Sequence, residues 1–372
     1  MYQTAIFSQL ISADDWKVEP KESSEGMLEQ DYESHLMNHE RFRVSPERAL
    51  ASVTALISQL DMDITCQDHR AFRWACAFGY KPVVELLLLN PKTNPSANMN
   101  SPVHWSCKGE HYEILEMLLK DPRLDPTIGH PNIITSLAEF NRITELKAIL
   151  AEGKVDPAAG GNEAIYVASY TGNLEAVELL LEDPRVDPSD QNSNSIMAAA
   201  QNNHIEVARR LMMDLRVDPS AQENYSLYAA VSGGHVEMCA LLMTDARVNP
   251  AVENSNLLVV ACHANFPKVV QQLLTDPRVN PTVDDNDALW FAVQEGYVEV
   301  VRILLSDSRV DPSIDENALV ELAVELGHTE IVSLMLKDRR VKESVDPFLL
   351  ILGAMQRQNM DLLSLLQDIF KQ

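Results

Sequence analysis

Apolar and polar positions recur along this chain with a period of 31 residues. The Pro of a Val-Asp-Pro fragment, or of a close variant, stands at Pro95, Pro126, Pro157, Pro188, Pro219, Pro250, Pro281 and Pro312. With this Pro as position 1, the frame runs from residue 64 to residue 372 and holds ten units, the last one residue short. Position 9 is apolar in all ten units, position 12 is Ala in eight, and position 24 is Leu, Ile or Met throughout. Columns that agree with a fixed period indicate a repeat architecture.

Within each unit the spacing predicts two short helices. Apolar positions 9, 12 and 13 lie on one face of a first helix, and positions 20, 21, 24 and 25 lie on one face of a second. Position 16, between them, is Gly or Asn in eight of ten units, and these residues best tolerate a positive φ at a helix C-terminus. Neither helix is long enough to be stable alone, so we predict an all-α solenoid of stacked units.

Three segments resemble the repeat pattern of the ankyrin family. Ser101-Pro102-Val103-His104 matches its T-P-L-H start, Gly234-His235-Val236-Glu237 matches its G-H-x-E turn, and residues 296–305 match its second helix. The resemblance covers about residues 64–372 and implies an ankyrin-type helix-turn-helix solenoid that binds proteins. The usual unit has about 33 residues. The two missing residues fall between the second helix and the next first helix, so we expect short loops or fingers there.

The remaining segments predict how the chain is organised. Residues 1–44 match no unit and are expected to form an acidic, partly flexible segment with a short helix at 2–13. Ser45-Pro46-Glu47 is typical of a helix start, and residues 45–63 are predicted to form an N-terminal capping helix. Residues 64–342 then form nine repeats, and residues 343–372 a C-terminal capping repeat.

Composition restricts the partners and the compartment. The chain has 55 acidic and 30 basic residues, a formal charge of −25, which disfavours nucleic acid and anionic membranes and favours a partner with a basic patch. Five Cys do not suggest a disulfide framework. The N-terminus lacks a basic leader pattern and no apolar run approaches about 18 residues. We therefore expect a monomer in the cytoplasm or the nucleus.

The sequence contains no recognisable catalytic or cofactor motif. Phosphate-binding glycine loops, nucleophile elbows, kinase signatures and zinc spacings are missing, so we expect no enzyme activity, cofactor or metal. Position 29 is Lys or Arg in nine units. Such a row could bind an anionic polymer, but the flanking acidic residues favour structural ion pairs. His at position 17, as in His111 and His328, and Cys at positions 13 and 21 are predicted to be structural.

Position 10 carries the candidate binding residues. The resemblance implies that this position borders the concave surface, and Tyr, Trp and Arg are enriched in interface hot spots. The alternative is that these side chains pack between neighbouring first helices. With Tyr170 at position 14, the predicted protein-binding residues are Arg73, His104, Tyr166, Tyr170, Tyr228 and Trp290. The predicted function is a non-enzymatic scaffold or adaptor. Two alternatives are an inhibitor that occludes a partner enzyme and an adaptor that delivers a target through residues 1–44.

Overall fold

The protein is described by a computed structural model that covers residues 45–57, 65–129 and 131–371. The predicted acidic segment 1–44, its helix at 2–13 and the end of the predicted capping helix lie outside these residues. All regular structure in the described ranges is helical, with no strand. This confirms the all-α prediction, and turns replace any finger hairpin in the described loops.

The described chain divides into two units, of which the first ends at Asp187, the last residue of a repeat. An N-terminal helix α1 packs on α3, and four helix pairs follow. Ser45 Oγ accepts a hydrogen bond from the Arg48 amide at 3.3 Å, so Ser45 caps α1 as predicted. The helices of this unit are α1 (Pro46–Ile57), α2 (Cys66–Ala77), α3 (Lys81–Leu88), α4 (Ala97–Lys108), α5 (Tyr112–Lys120), α6 (Ile133–Glu139), α7 (Ile143–Glu152), α8 (Ala159–Thr171) and α9 (Leu174–Glu182).

The second unit begins at Pro188 and contains six further helix pairs with one extra short helix, α20, before the last pair. Its helices are α10 (Asp190–Gln201), α11 (Ile205–Met212), α12 (Ala221–Ser232), α13 (Val236–Leu242), α14 (Val252–His263), α15 (Pro267–Leu273), α16 (Val283–Gln294), α17 (Val298–Ser306), α18 (Ile314–Leu326), α19 (Thr329–Met335), α20 (Arg339–Ser344), α21 (Pro347–Gln356) and α22 (Met360–Phe370).

The columns of the 31-residue frame form the core. Position 9 is buried in nine repeats, and only Ile351 of the last repeat is half-buried. Each Ala at position 12 is fully buried, and position 24 is buried in all ten repeats. The first helices pack against one another from repeat to repeat, as α12 does on α14 and α14 on α16. Apolar burial both within and between repeats therefore stabilises the chain.

Position 16 has a positive φ in all ten repeats. The residues are Gly79, Glu110, Asn141, Gly172, Asn203, Gly234, Asn265, Gly296, Gly327 and Gln358. A left-handed residue there ends the first helix and turns the chain into the second. The expected positive φ is confirmed, and this position requires a conformation rather than a particular side chain, because Glu110 and Gln358 adopt it too.

The first helices begin with a left-handed turn that the apolar pattern does not reveal. In α8, Gly160, Gly161 and Asn162 all have positive φ, and in α12 the same holds for Gln222 and Asn224. The Asn at position 6 is buried, and its side chain links the helix start to the end of the same repeat. Asn162 Oδ1 and Asn224 Oδ1 accept the amides of Asp187 and Asn249, each at 2.8 Å.

Candidate protein-binding surface

Beside the core columns, the first helices have a second face, which is exposed on α8 and α12 but buried at Thr135 and Met197. Positions 7, 10 and 14 are three or four residues apart, so they share a helix face next to the buried positions 9, 12 and 13. We call positions 7, 10 and 14 the first-helix face. It contains the position-10 residues singled out in the sequence, together with their neighbours one helical turn away.

In the first unit, α8 presents two tyrosines on this face. Tyr166 is 39% exposed and Tyr170 is 47% exposed, and their ring centroids lie 6.4 Å apart. Both rings sit on a helix anchored by the fully buried Ile165 and Ala168. The pair is therefore a fixed and accessible aromatic surface, as interface anchors require.

The structure places Arg73 and His104 differently. Arg73 is only 5% exposed and donates from Nε to the Asp68 carbonyl at 3.0 Å, so it lies inside the first repeat rather than on an open face. His104 is half-buried, and its Nδ1 lies 3.1 Å from Ser136 Oγ. Burial, and secondarily the charge of Lys108, lowers the pKa of His104 to about 4. His104 is therefore neutral at pH 7 and packs as an aromatic ring.

In the second unit, α12 carries a second tyrosine pair. Tyr228 and Tyr225 are each 42% exposed, and their ring centroids are 5.9 Å apart. The sequence analysis did not select Tyr225. The signal was present, because Tyr225 precedes Tyr228 by three residues and so lies on the same helix face.

Two repeats further on, α16 presents a mixed aromatic and acidic group. Trp290 is half-buried at position 10, and the adjoining Phe291 stacks on His263 with centroids 3.8 Å apart. His263 Nε2 also lies 3.6 Å from Asp287 Oδ2. His263 occupies position 14 of the preceding first helix, and the repeat pattern gives no indication that it stacks on Phe291.

Comparison with known families agrees with this architecture. The family profile described as "Ankyrin repeats (3 copies)" matches residues 129–223, 196–285, 227–315 and 257–346. These overlapping matches run from residue 129 to residue 346, more than half of the chain. The chain belongs to the ankyrin repeat family. Ankyrin repeats are generally protein–protein interaction modules.

One solved structure can be compared directly. The chain is similar to the crystal structure of the human ASB11 ankyrin repeat domain, with 19% identity and a TM-score of 0.41. The similarity covers 51% of this chain and 90% of the ASB11 chain. A comparison with curated protein sequences gave no match.

The basic column of these ankyrin repeats is structural. Arg247 donates from Nε and Nη2 to the two carboxylate oxygens of Asp245, at 3.0 and 2.7 Å. Its Nη1 also donates to the carbonyl of Val217 in the preceding repeat, at 3.0 Å. The predicted ion pair within the repeat is confirmed, but the partner across the repeat junction is mainly a backbone carbonyl. The same Asp–Arg arrangement, here called the loop Asp–Arg pair, occurs at Arg123, Arg185, Arg216, Arg278, Arg309 and Arg340.

The other candidate side chains of the ankyrin repeats also have structural contacts. His111 Nε2 and His328 Nε2 lie 3.1 and 3.3 Å from the carbonyls of Ala77 and Gln294, at the ends of the preceding first helices. Cys76, Cys107, Cys239 and Cys262 are buried, and burial raises the pKa of each thiol. In the part of the chain that the structure describes, no His, Cys, Asp and Glu group is placed to hold a metal. None of the described helices is long and apolar enough to cross a bilayer.

Proposed function

We propose that this ankyrin repeat protein is a non-enzymatic scaffold or adaptor that binds a partner protein through its first-helix face. The observation that supports this function is the pair of accessible tyrosines on each of two anchored helices, Tyr166 with Tyr170 and Tyr228 with Tyr225. Rigid rings of this kind contribute contact area with little loss of conformational entropy on binding. We leave the buried Arg73 out of the contact surface.

The composition supports the further features of this proposal. The formal charge of −25 favours a partner with a basic patch and faster association at low salt. We propose that the protein acts as a monomer in the cytoplasm or nucleus, with no nucleic acid partner.

The test replaces the aromatic anchors and measures partner recovery. Tyr166→Ser, Tyr228→Ser and Trp290→Ser together should reduce by at least about tenfold the partner captured from cells, because anchor side chains contribute about 2 kcal/mol or more each. The matched control replaces Leu89, Met213 and Leu215 by Ser. These three side chains are more exposed than the anchors but lie outside the first helices.

Comparison of the aromatic variant with its control separates a loss of binding from a loss of folding. Both should keep the helical circular dichroism of the parent, since neither changes a buried side chain of the repeat core. Equal recovery of partner with both variants would contradict the proposal. Loss of the helical signal in the aromatic variant alone would show that these rings are needed for packing between first helices, the alternative considered from the sequence.

A further inference from the structure

In the second unit, basic side chains are excluded from the first helices. The six first helices α10, α12, α14, α16, α18 and α21 contain no Lys or Arg, whereas basic residues lie on the second helices, in the loops and on α20. Acidic side chains are exposed at the starts and along the faces of these first helices. Glu223, Asp285, Asp315 and Glu316 are exposed at helix starts, whereas Glu321 and Glu325 lie at positions 10 and 14 of α18, on the first-helix face itself.

The cations of the loops cannot neutralise this face, because the loop Asp–Arg pairs already engage them. Arg216, Arg247, Arg278 and Arg309 each bind the Asp two residues earlier, at 2.6–2.7 Å from Nη2. Among the described residues, none of the acidic side chains named above forms an ion pair with Lys or Arg. Asp287 Oδ2 lies 3.6 Å from Nε2 of His263. The first-helix face at α16 and α18, and the helix starts beside it, therefore carry carboxylates that form no ion pair with a Lys or Arg of the described residues.

Aromatic rings lie among these carboxylates. Tyr225 and Tyr228 follow Glu223 on α12, and Trp290 follows Asp287 by three residues on α16. A cation over the face of a Tyr or Trp ring is stabilised by about 0.5–2 kcal/mol, most strongly for Arg and Trp. Carboxylates beside such rings add charge-assisted hydrogen bonds to a guanidinium. Together they favour a cationic side chain that is planar and partly apolar.

We infer that the first-helix face of the second unit binds an extended, arginine-bearing segment of the partner protein. This inference rests on the proposed function and names the chemistry of the segment bound there. The carboxylates attract the segment, and the rings of Tyr228 and Trp290 stack with its guanidinium groups. The positive charge of the arginines is complementary to the negative charge of the first-helix face, and no Lys or Arg of the first helices competes for its carboxylates.

The repeat geometry sets the spacing of the arginines. Packed helices lie about 8–10 Å apart. An extended chain rises about 3.3 Å per residue. Neighbouring first helices therefore correspond to about three residues of the bound segment. Tyr228 and Trp290 lie two repeats apart, so the arginines stacked on them are separated by about six residues.

The experiment measures the binding of defined peptides to the full chain. The probe is a labelled Gly-Ser peptide of about fifteen residues with Arg at every third position, matched to the estimated repeat spacing. A second peptide carries Glu at the same positions. Fluorescence anisotropy should show binding of the Arg peptide alone, weakened by added salt because the face charges are exposed.

Matched variants separate this face from the overall charge of the protein. Glu321→Gln with Glu325→Gln, and separately Tyr228→Ser with Trp290→Ser, should each weaken binding of the Arg peptide by at least about fivefold. The control Glu237→Gln with Asp368→Asn removes the same charge from exposed positions on second helices and should leave binding unchanged. Circular dichroism confirms that each variant is folded.

Three results overturn the inference. The Arg peptide binds no more tightly than the Glu peptide, or the control weakens binding as much as the face variants, or the Arg peptide fails to displace a recovered partner. If the partner is lost from the aromatic variant but not displaced by the Arg peptide, the proposed function stands and only the basic segment is wrong. Displacement that depends on Glu321, Glu325, Tyr228 and Trp290 supports both.

Discussion

The loop arginines act through geometry as much as through charge. Arg247 places two nitrogens on Asp245 and a third on the Val217 carbonyl, so one planar side chain connects its own loop to the preceding repeat. The acidic or amide side chains at positions 27 and 31 also accept amides two residues later, as Asp214 does from Arg216 and Asp218 from Ser220. The recurring Asp-x-Arg-Val-Asp-Pro or Asp-x-Arg-Val-Asn-Pro sequence therefore forms two successive Asx turns with an arginine between them.

Replacing Arg247 by Lys tests this role. An ammonium group has the charge but not the planar fork, so the bidentate contact and the bond to Val217 cannot form together. We expect a loss of about 1–2 kcal/mol in the free energy of unfolding, measured in urea by circular dichroism. Arg302→Lys is the control, because Arg302 forms only exposed pairs with Glu299 and Glu330 and should cost less than about 0.5 kcal/mol. Equal losses would argue against the carbonyl contact.

Because of the loop Asp–Arg pairs, we expect the folded protein to lose stability in acid. The Arg hydrogen bond is the largest cause that lowers the pKa of Asp183, Asp214, Asp245, Asp276, Asp307 and Asp338. Their unfolded value is about 3.9, so the pairs stabilise the fold above about pH 4 and this contribution is lost as pH falls through the lower folded values. The urea midpoint should therefore decrease as the pH falls below about 4. Arg278→Met with Arg309→Met should show a shallower fall, and parallel curves would contradict this.

At the scale of the element, the starts of α8 and α12 each depend on one asparagine at position 6. Asn224 is buried, has a φ of +63° and accepts the Asn249 amide. It therefore performs two tasks, since it adopts the left-handed conformation and satisfies an amide at the end of the repeat. Asn tolerates positive φ better than other residues with a side chain, which explains its presence here.

Two substitutions of Asn224 separate its backbone conformation from its hydrogen bond. Asn224→Gly keeps the backbone conformation but loses the acceptor, and should cost about 1–3 kcal/mol in the free energy of unfolding. Asn224→Ala should cost about 1 kcal/mol more, because Ala is strained at positive φ. Gln222→Gly, at an exposed residue with positive φ in the same turn, is the control and should be neutral or stabilising. Equal losses for Gly and Ala at Asn224 would mean that strain is negligible there.

The second helices provide a direct test of the repeat frame. Leu180, at position 24 of α9, is fully buried. Leu180→Ala should cost about 2–5 kcal/mol through lost burial and the cavity left behind. The exposed Leu215→Ala is the control and should change stability by less than about 0.5 kcal/mol. A loss at Leu180 as small as that of the control would show that position 24 is not a core column.

The sequence specifies those features in which one residue determines one conformation. Gly or Asn at position 16 predicts the turn, and apolar columns predict the buried faces of both helices. The left-handed turn could not be predicted, since Gly160 and Gly161 suggest it whereas Gln222 and Glu223 do not. Its stability comes from a hydrogen bond to a residue 25 positions away, as between Asn224 and Asn249. Arg73 was misplaced for a related reason, because its burial depends on tertiary packing in the first repeat.

At the scale of the molecule, the main contacts between helices lie within one repeat or between neighbouring repeats. Each first helix of the second unit packs on the next, and each second helix packs on its own first helix. Stability in such an array is approximately a sum of repeat and junction contributions. Deletion of one complete repeat should therefore preserve the packing between the repeats that remain.

Deletion of residues 219–249 tests this additivity. The 31 residues form one repeat with α12 and α13, and the shortened chain should stay folded with unchanged helical signal per residue. Deletion of residues 219–245 removes fewer residues but breaks the period, and should unfold the neighbouring repeats. If both chains are equally folded, the register between repeats does not matter. The in-frame deletion also removes Tyr225 and Tyr228, so it should weaken binding of the arginine peptide.

In the last repeat of the described chain the side chain at position 13 is exposed, whereas this position is buried in every earlier repeat. Position 13 is buried beneath the following repeat at Val231, Cys262, Val293 and Val324, whereas Met355 at the same position is 60% exposed, next to an exposed Leu352. The exposed surface of this repeat therefore has the apolar character of a junction between repeats. An engineered copy of one period fused after α22 should dock there without redesign of the junction. The number of repeats in this architecture can thus grow by simple duplication, while the rule that joins one repeat to the next stays the same.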